Sequence, residues 1–522
     1  MNYLRRALRS VFAVAEALLD LCFGPRSNPL HHLGALGFFF YWIVLATGVH
    51  LYIGFDTSVT DAYTSVERLS HSAWFLGGVS RSLHRYASDA LVFVMLVHLA
   101  REFSLDRYRG VRWFSWFTGA PIIAFVYASG IGGYWLVWDK LAQYIAIAST
   151  EWLDWLPIFG EPIARNFLAP SSLDNRFFTL LVFLHIAIPL FLLFVLWIHL
   201  QRVSKPKINP PVGLALGSAA ALLALSLALP ATSQAPANLA TVPASLDLDW
   251  FYLPLYPVFD RWSYGAGWAL MLAFGVAMVA LPFLPPLRRK AVATVQLDWC
   301  NGCGRCADDC PYAAITMGRR SDGLPFETQA VVDSSLCVSC GICVGACPTS
   351  TPFRSAADLV TGIDLPDPSL GELRERTRAA AAQLTGFPRI LVFGCDHGVT
   401  GAAFASNKVA AVSLPCIAML PPSFIDHALS RDLADGVFIT GCSAGACYNR
   451  LGIRWMEDRL ASRRDPHLRA RVPRERLAVC WPVLSSPRQV AQALEAFAVE
   501  LVRLGRPQPR TAAPQTTKEP AS

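Results

Sequence analysis

Two apolar stretches, SLHRYASDALVFVMLVHLAR at 82–101 and LVFLHIAIPLFLLFVLWIHL at 181–200, each carry a histidine near either end. The interval is the same in both: His84 to His98, and His185 to His199. Fourteen residues is close to four helical turns, so the two rings of a pair leave one face of a helix, about 21 Å apart along its axis. A single histidine in such a segment reads as a hydrogen-bonded core residue. Ionisable groups at membrane depth are costly and normally functional, and two matched pairs demand a chemical reason.

The chain of 522 residues is 53% hydrophobic and only 16% charged, with mean hydropathy +0.38. A soluble chain of that length is more polar, so a membrane region is expected, followed by a charged, cysteine-rich half from about residue 285. Six spans are expected at 33–54, 84–103, 118–138, 177–200, 212–230 and 264–284, each near the ~20 residues a bilayer requires. Residues 1–22 place Arg5, Arg6 and Arg9 on an apolar pattern without a small-residue cleavage site, which reads as an amphipathic helix on the cytoplasmic face. The short loops at 101–112, 201–207 and 287–290 are basic, whereas the alternate loops are longer with sparser Lys and Arg. The positive-inside bias therefore puts both termini in the cytoplasm of a bacterial inner-membrane protein. Thirteen of the fourteen cysteines lie between Cys300 and Cys480, eight of them at metal-ligand spacing. Reduced cysteines also imply a cytoplasmic location. The net charge of +7 reflects basic loops and a basic C-terminal region, with nothing specific to nucleic acid.

This topology makes the second and fourth spans parallel. His84 then pairs with His185 and His98 with His199, as axial ligands of two b-type haems. The region 30–285 resembles the cytochrome b family of bc-type complexes. The resemblance extends to Gly34 and Gly48 on the first span and Gly119 and Gly133 on the third, where a porphyrin edge needs backbone without a side chain. It also implies that Arg81 and Arg101 sit near haem propionates. LDWFYLPLYP at 248–257 looks like the family's Pro-Glu-Trp-Tyr segment beside the outer quinol site, with Asp249 for the glutamate and Leu248 for the proline. Val137 stands where the family usually has a further proline. A carboxylate in an apolar setting can take a proton from quinol, which makes Asp249 the candidate acceptor; an interfacial aromatic belt is the plainer alternative.

CNGCGRCADDCP (300–311) and CVSCGICVGACP (337–348) each read C-x2-C-x2-C-x3-C-P and resemble the bacterial two-cluster ferredoxin. That family's crossing pattern implies one [4Fe–4S] cluster on Cys300, Cys303, Cys306 and Cys347, and another on Cys337, Cys340, Cys343 and Cys310. Zinc is the competing reading. From 388, short apolar runs ending in cysteine predict parallel strands of a small α/β domain. Cys395, Cys416, Cys442 and Cys447, with GCSAGACYNR at 441–450, resemble the hydrogenase iron–sulfur subunit family linked to heterodisulfide reductase, which implies a [2Fe–2S] cluster. His397 and Cys480 stand as alternative ligands, and buried cysteines acting as hydrophobes are the plainer reading.

The expected architecture is multidomain. An amphipathic N-terminus (1–32) leads into an all-α six-helix membrane bundle with two haems (33–290). A ferredoxin-like α+β module (291–360), a linker (361–387), a small α/β parallel-sheet domain (388–505) and a disordered tail (506–522) follow. The expected activity is a quinone oxidoreductase subunit, exchanging electrons between the quinone pool and a cytoplasmic partner. That partner would be a flavin-containing heterodisulfide-reductase-like or dehydrogenase protein, because this chain has no nucleotide-binding Gly-rich loop. A conduit from a periplasmic donor without a quinone site, and a redox-dependent docking scaffold, are the alternatives; a homodimer is left open.

Overall fold

A computed structural model describes residues 2–506 except 72–75, 159, 164–167, 169–172, 202–204, 285–289, 355–358, 444 and 483–485. Arg202, Arg288, Arg289 and the expected tail beyond 506 lie outside the described residues. The chain divides into two compact units, Met1–Leu287 and Arg288–Ser522.

The first unit is helical: α1 (Asn2–Phe23), α2 (Leu33–Ile53), α3 (Ala62–His71), α4 (Leu76–Ser104), α5 (Trp113–Val137), α6 (Lys140–Asp154), α7 (Asn175–Gln201), α8 (Val212–Ala228), α9 (Leu255–Arg261) and α10 (Tyr264–Ala280). Helices occupy all six positions expected to span. By length and composition four of these segments can cross a bilayer: α2, α5, α7, and α10 with the turn that follows it. The helix α8 is shorter, and α4 carries charge along its length. Helix α2 packs on α4 and α5 on α7 around a core that includes Leu36, Phe40, Leu91, Ile122 and Leu192. The outward faces are apolar too: Phe183, Phe191, Phe194 and Trp197 of α7 are all more than half exposed. In water such a face would be an aggregation patch, whereas lipid solvates it. The helix α1 presents Leu4, Val11, Leu18 and Leu21 outward and buries Glu16.

The second unit begins with the ferredoxin-like segment: β1 (Thr294–Val295), α11 (Arg305–Asp309), β2 (Ile315–Arg319), β3 (Thr328–Val332) and α12 (Ile342–Ala346). Strands β2 and β3 form an antiparallel hairpin, with Ile315 opposite Val332. The segment 361–387, read from sequence as a linker, is built into the fold. Its strand β4 (Ile363–Asp364) pairs with β1, and α13 (Leu370–Ala382) follows, opened by a Ser369/Glu372 capping box. The reason is apolar content: Ile363, Leu365, Leu370 and Leu373 are all buried.

The rest is a parallel sheet of β5 (Ile390–Cys395), β6 (Val409–Leu414), β7 (Gly436–Thr440) and β8 (Leu477–Cys480), in the order β6-β5-β7-β8. Strands β5 and β7 are central and buried on both faces, as expected of a parallel sheet covered on both sides. Helices α14 (Pro422–Ser430), α15 (Gly452–Leu460) and α16 (Pro487–Leu504) complete the unit. The ferredoxin-like segment and the sheet share one core, in which Cys306, Val344 and Leu373 lie with Phe393 and Ile439. They therefore form one body rather than two domains on a linker.

Candidate metal centres

His84 and His98 of α4 lie near His185 and His199 of α7, respectively. The rings of His84 and His185 lie 6.2 Å apart between centroids, at 60°. Two imidazoles bound to opposite sides of one metal, each through a bond of about 2 Å, stand at about this separation. His84 Nδ1 is 3.0 Å from the Val44 carbonyl, and His185 Nδ1 is 3.0 Å from the Ser129 carbonyl. Donating to a carbonyl puts the proton on Nδ1 and leaves Nε2 as the free donor pair, the arrangement a ligating histidine needs. At the other end of the helices His199 Nδ1 is 2.8 Å from Thr118 Oγ1.

The four spaced glycines each lie against one of these rings. A Cβ on Gly48, Gly119 or Gly133 would stand 3.1 Å from Cε1 of His84, His199 or His185, and one on Gly34 would stand 3.8 Å from His98. At Gly48, Gly119 and Gly133 the imidazole itself is tight against the missing side chain, whereas at Gly34 the added atom would make an ordinary contact.

The two arginines have protein partners. Arg81 donates to Ser70 (2.7 Å) and Ser233 (2.9 Å) and stands 3.5 Å from Glu67. Arg101, buried, donates to Glu16 of α1 at 3.0 and 2.5 Å. Burial alone would raise the Glu16 carboxyl, but His31 and Arg101 hold it below the usual range. Arg101 thus fastens the amphipathic α1 to α4.

Asp249 sits at the His84 end. It is ion-paired with Arg85, accepts from the Tyr134 hydroxyl, and takes the Phe251 and Tyr252 amides at 2.7 and 3.2 Å. Burial pushes its carboxyl up, and these partners together outweigh that and hold it below the ordinary carboxylate range. A carboxylate so engaged anchors a cluster better than it accepts a proton. Two members of this cluster escaped the sequence reading although they stand in the stretch that opened it. Arg85 and Asp89 are one turn apart on α4, 3.5 Å from each other, and Asp89 Oδ1 is buried with no hydrogen-bond partner among the described residues. An i,i+4 pair of opposite charges inside an otherwise apolar helix was the available signal. Tyr252 closes the group, its hydroxyl 2.7 Å from Ser88 and its ring seated where a Gly130 side chain would be.

In the second unit Cys300, Cys303, Cys306 and Cys347 line one cavity with Asn301, Met317 and Ile363. Burial, then the neighbouring thiols of Cys347, Cys303 and Cys300, push Cys306 up to about 12. Likewise burial, with Cys310 and Cys337 nearby, pushes Cys340 up to about 12, and Cys343 lies well above the usual thiol range. Buried thiols crowded in this way become thiolates when cationic iron compensates them. Gly304 and Gly341, at φ 74° and 75°, make the left-handed turns that wrap each motif and start α11 and α12.

Cys395 ends β5, Cys416 follows β6, and Cys442 and Cys447 follow β7. All four are buried, with Cys395 and Cys442 Sγ 3.9 Å apart. A Cβ on Gly452 would stand 2.5 Å from Cys416 Sγ and 3.5 Å from Cys447 Sγ, so these two share one corner. His397 stacks on Tyr448, centroids 3.6 Å apart, beside Cys447. Cys480 packs instead in a separate core cluster with Val392, Val490 and Phe497. The ends of adjacent parallel strands gather the set at one sheet edge, where sites in such folds lie. Among the described residues no three His, Cys, Asp or Glu side chains gather as a single metal ion would require.

Three family models match successive parts of the chain: Cytochrome b/b6/petB over residues 18–206, a 4Fe-4S dicluster domain over 299–351, and the methyl-viologen-reducing hydrogenase delta subunit over 390–505. A solved chain described as "Hyperthermophilic respiratory Complex III" is similar at 20% identity and a TM-score of 0.40, covering 49% of this chain and 75% of that one. The polypeptide is a membrane electron-transfer chain whose successive regions are similar to cytochrome b/b6, to 4Fe-4S dicluster domains and to the hydrogenase delta subunit.

Proposed function

We propose that this chain is the membrane subunit of a quinone oxidoreductase in the bacterial inner membrane, exchanging electrons between quinol and a cytoplasmic, flavin-containing partner. The observation that carries the reading is the His84–His185 pair, 6.2 Å apart with both Nδ1 atoms engaged, one residue from the Arg85–Asp249–Tyr134 cluster. His84 and His185 would hold one b haem and His98 and His199 a second. Cys300, Cys303, Cys306 and Cys347 would hold one [4Fe–4S] cluster, Cys310, Cys337, Cys340 and Cys343 another, and Cys395, Cys416, Cys442 and Cys447 a [2Fe–2S] cluster. When bound, these groups supply one-electron relay and no bond chemistry.

The chain's own contribution is to place the ligands and to manage protons. Gly34, Gly48, Gly119 and Gly133 clear space for the rings, and the carbonyls of Val44 and Ser129 orient two of them. At the His84 end, Arg85 and Tyr134 hold Asp249, and Asp89 keeps an unengaged carboxylate oxygen able to receive a proton from a quinol hydroxyl. The cysteines, at metal-ligand rather than disulfide spacing, support a partner on the cytoplasmic side.

The test is anaerobic mixing of the oxidised, purified protein with a quinol while the haem absorption band is followed. Reduction sensitive to quinone-site inhibitors is expected. No reduction by quinol, with full reduction by dithionite, would replace this reading with a conduit fed by a periplasmic donor.

A further inference from the structure

We propose that Arg459 is a positioning residue that sets the coupling between the second ferredoxin-type cysteine set and the sheet-edge set. The inference rests on the reading that both sets hold clusters.

Arg459, on α15 beside the sheet, is fully buried. Its guanidinium donates to Asp309 Oδ2 at 2.6 Å, to the Ala418 carbonyl at 2.7 Å and to the Ile342 carbonyl at 3.5 Å. Each acceptor lies next to a cysteine of one of the two sets. Asp309 precedes Cys310, Ile342 precedes Cys343, and Ala418 is two residues past Cys416. One rigid, planar group thus ties three cysteine-bearing turns, two from the ferredoxin-like segment and one from the sheet edge. The planar fork fixes direction as well as distance, which an ammonium on a flexible stem does not.

The surroundings bring the two sets together. Cys340 packs against a small apolar cluster of Ile342, Cys416, Ala418, Leu451 and Trp455. Backbones approach closely here: a Cβ on Gly345 would lie 2.0 Å from the Ala418 carbonyl and 2.7 Å from Arg459 Nη1, and one on Gly341 would strike Met419 at 2.6 Å. Asp309 is completed from the same side by Arg464, whose Nε stands 2.6 Å away, and its carbonyl accepts from Trp455 Nε1 at 3.1 Å. Tyr312 reaches Asn449 across the same seam at 2.9 Å. Arg459 also buries an Nε–H with no partner among the described residues. Buried ion pairs are weak stabilisers next to apolar packing and are best attested where they fix registry. This pair has that placement, at the seam between two ligand sets, whereas the first set, on Cys300, Cys303, Cys306 and Cys347, opens on its own cavity.

The experiment uses the full chain purified anaerobically with its metal centres. Iron and acid-labile sulfide are measured first, with Cys416→Ser as reference. If Cys416→Ser changes neither iron content nor spectrum, the sheet edge holds no cluster and the underlying reading fails. With both clusters present, electron paramagnetic resonance of the dithionite-reduced protein should show enhanced relaxation of the Cys310/Cys337/Cys340/Cys343 cluster, abolished in Cys416→Ser. Arg459→Met is expected to keep its iron and lose that enhancement, with partial recovery in Arg459→Lys. Should Arg459→Met fail to assemble, Gly345→Ala, which wedges the Ala418 carbonyl away, is expected to give the same loss. Full iron with undiminished enhancement in either assembled variant overturns the proposal.

Discussion

The helical unit and the cysteine-bearing unit place ligands by opposite strategies. In the helical unit each ligand candidate belongs to a helix that would form without its partner, and the two histidine levels are separated by about four turns of helix. In the cysteine unit the sets interlock. Cys310 and Cys347 each belong by motif to one run of sequence and by position to the other set, while Arg459 ties the second set to the sheet edge. Separation makes centres independent, and the crossing of Cys310 and Cys347 makes the two ferredoxin-type sets depend on each other.

The largest test of that contrast is ligand loss. Cys310→Ser is expected to cost more iron than one cluster contains, because the two ferredoxin-type sets cross through Cys310 and Cys347. His199→Ala should halve the haem and leave the His84–His185 spectrum intact. Iron and haem per chain decide it, and loss of a single cluster in Cys310→Ser would break the contrast.

Next comes the seam. Asp309→Asn strips the charged partner from buried Arg459, and leaving such a charge uncompensated costs about 3–5 kcal/mol. Denaturant unfolding of the cysteine unit should move by that order while the haem band is unaffected.

In the helical unit, Gly133→Val crowds His185, where even a Cβ stands 3.1 Å from Cε1. Overpacking of about 1–3 kcal/mol is expected, with haem lost at that level only. The same end offers a kinetic comparison: Asp89→Asn should slow quinol-driven haem reduction more than Asp249→Asn, whose carboxylate is already engaged by Arg85 and Tyr134. The reverse order would return the proton-accepting role to Asp249.

The smallest effect is a pH dependence confined to the cysteine unit. Burial pushes Asp364, at the β4–α13 junction, up to about 6. A carboxyl whose folded value exceeds its unfolded value of about 3.9 contributes stability fully present below that value and lost as pH rises through about 6. Unfolding followed between those pH values should show the decline, and Asp364→Asn should flatten it.

Much of this was written in local periodicity and spacing. A repeat of fourteen residues needs only helix geometry to put two rings on one face, and C-x2-C-x2-C needs only a glycine turn to gather three thiols. The apolar runs ending in cysteine likewise announced the four parallel strands. Other features were visible as letters without their meaning. Arg85 and Asp89 stood inside the first stretch considered, but their role depends on Asp249, 160 residues further along. Arg101 is legible as a cation near the end of its helix, but its carboxylate partner, Glu16, stands on a different helix. The 361–387 segment read as a connector because it is polar and Ala-rich, yet β1 supplies a partner strand for it.

Residue type and interval by themselves determined the membrane class, the two histidine ladders and the two ferredoxin-type motifs, because those features arise within a few turns of chain. Only the tertiary structure decided which charge neutralises which, that Cys480 packs away from the other sheet cysteines, and that Arg459 reaches three turns at once. Partners so far apart in sequence leave no local period, and their pairing is enforced by the cost of burying a charge alone.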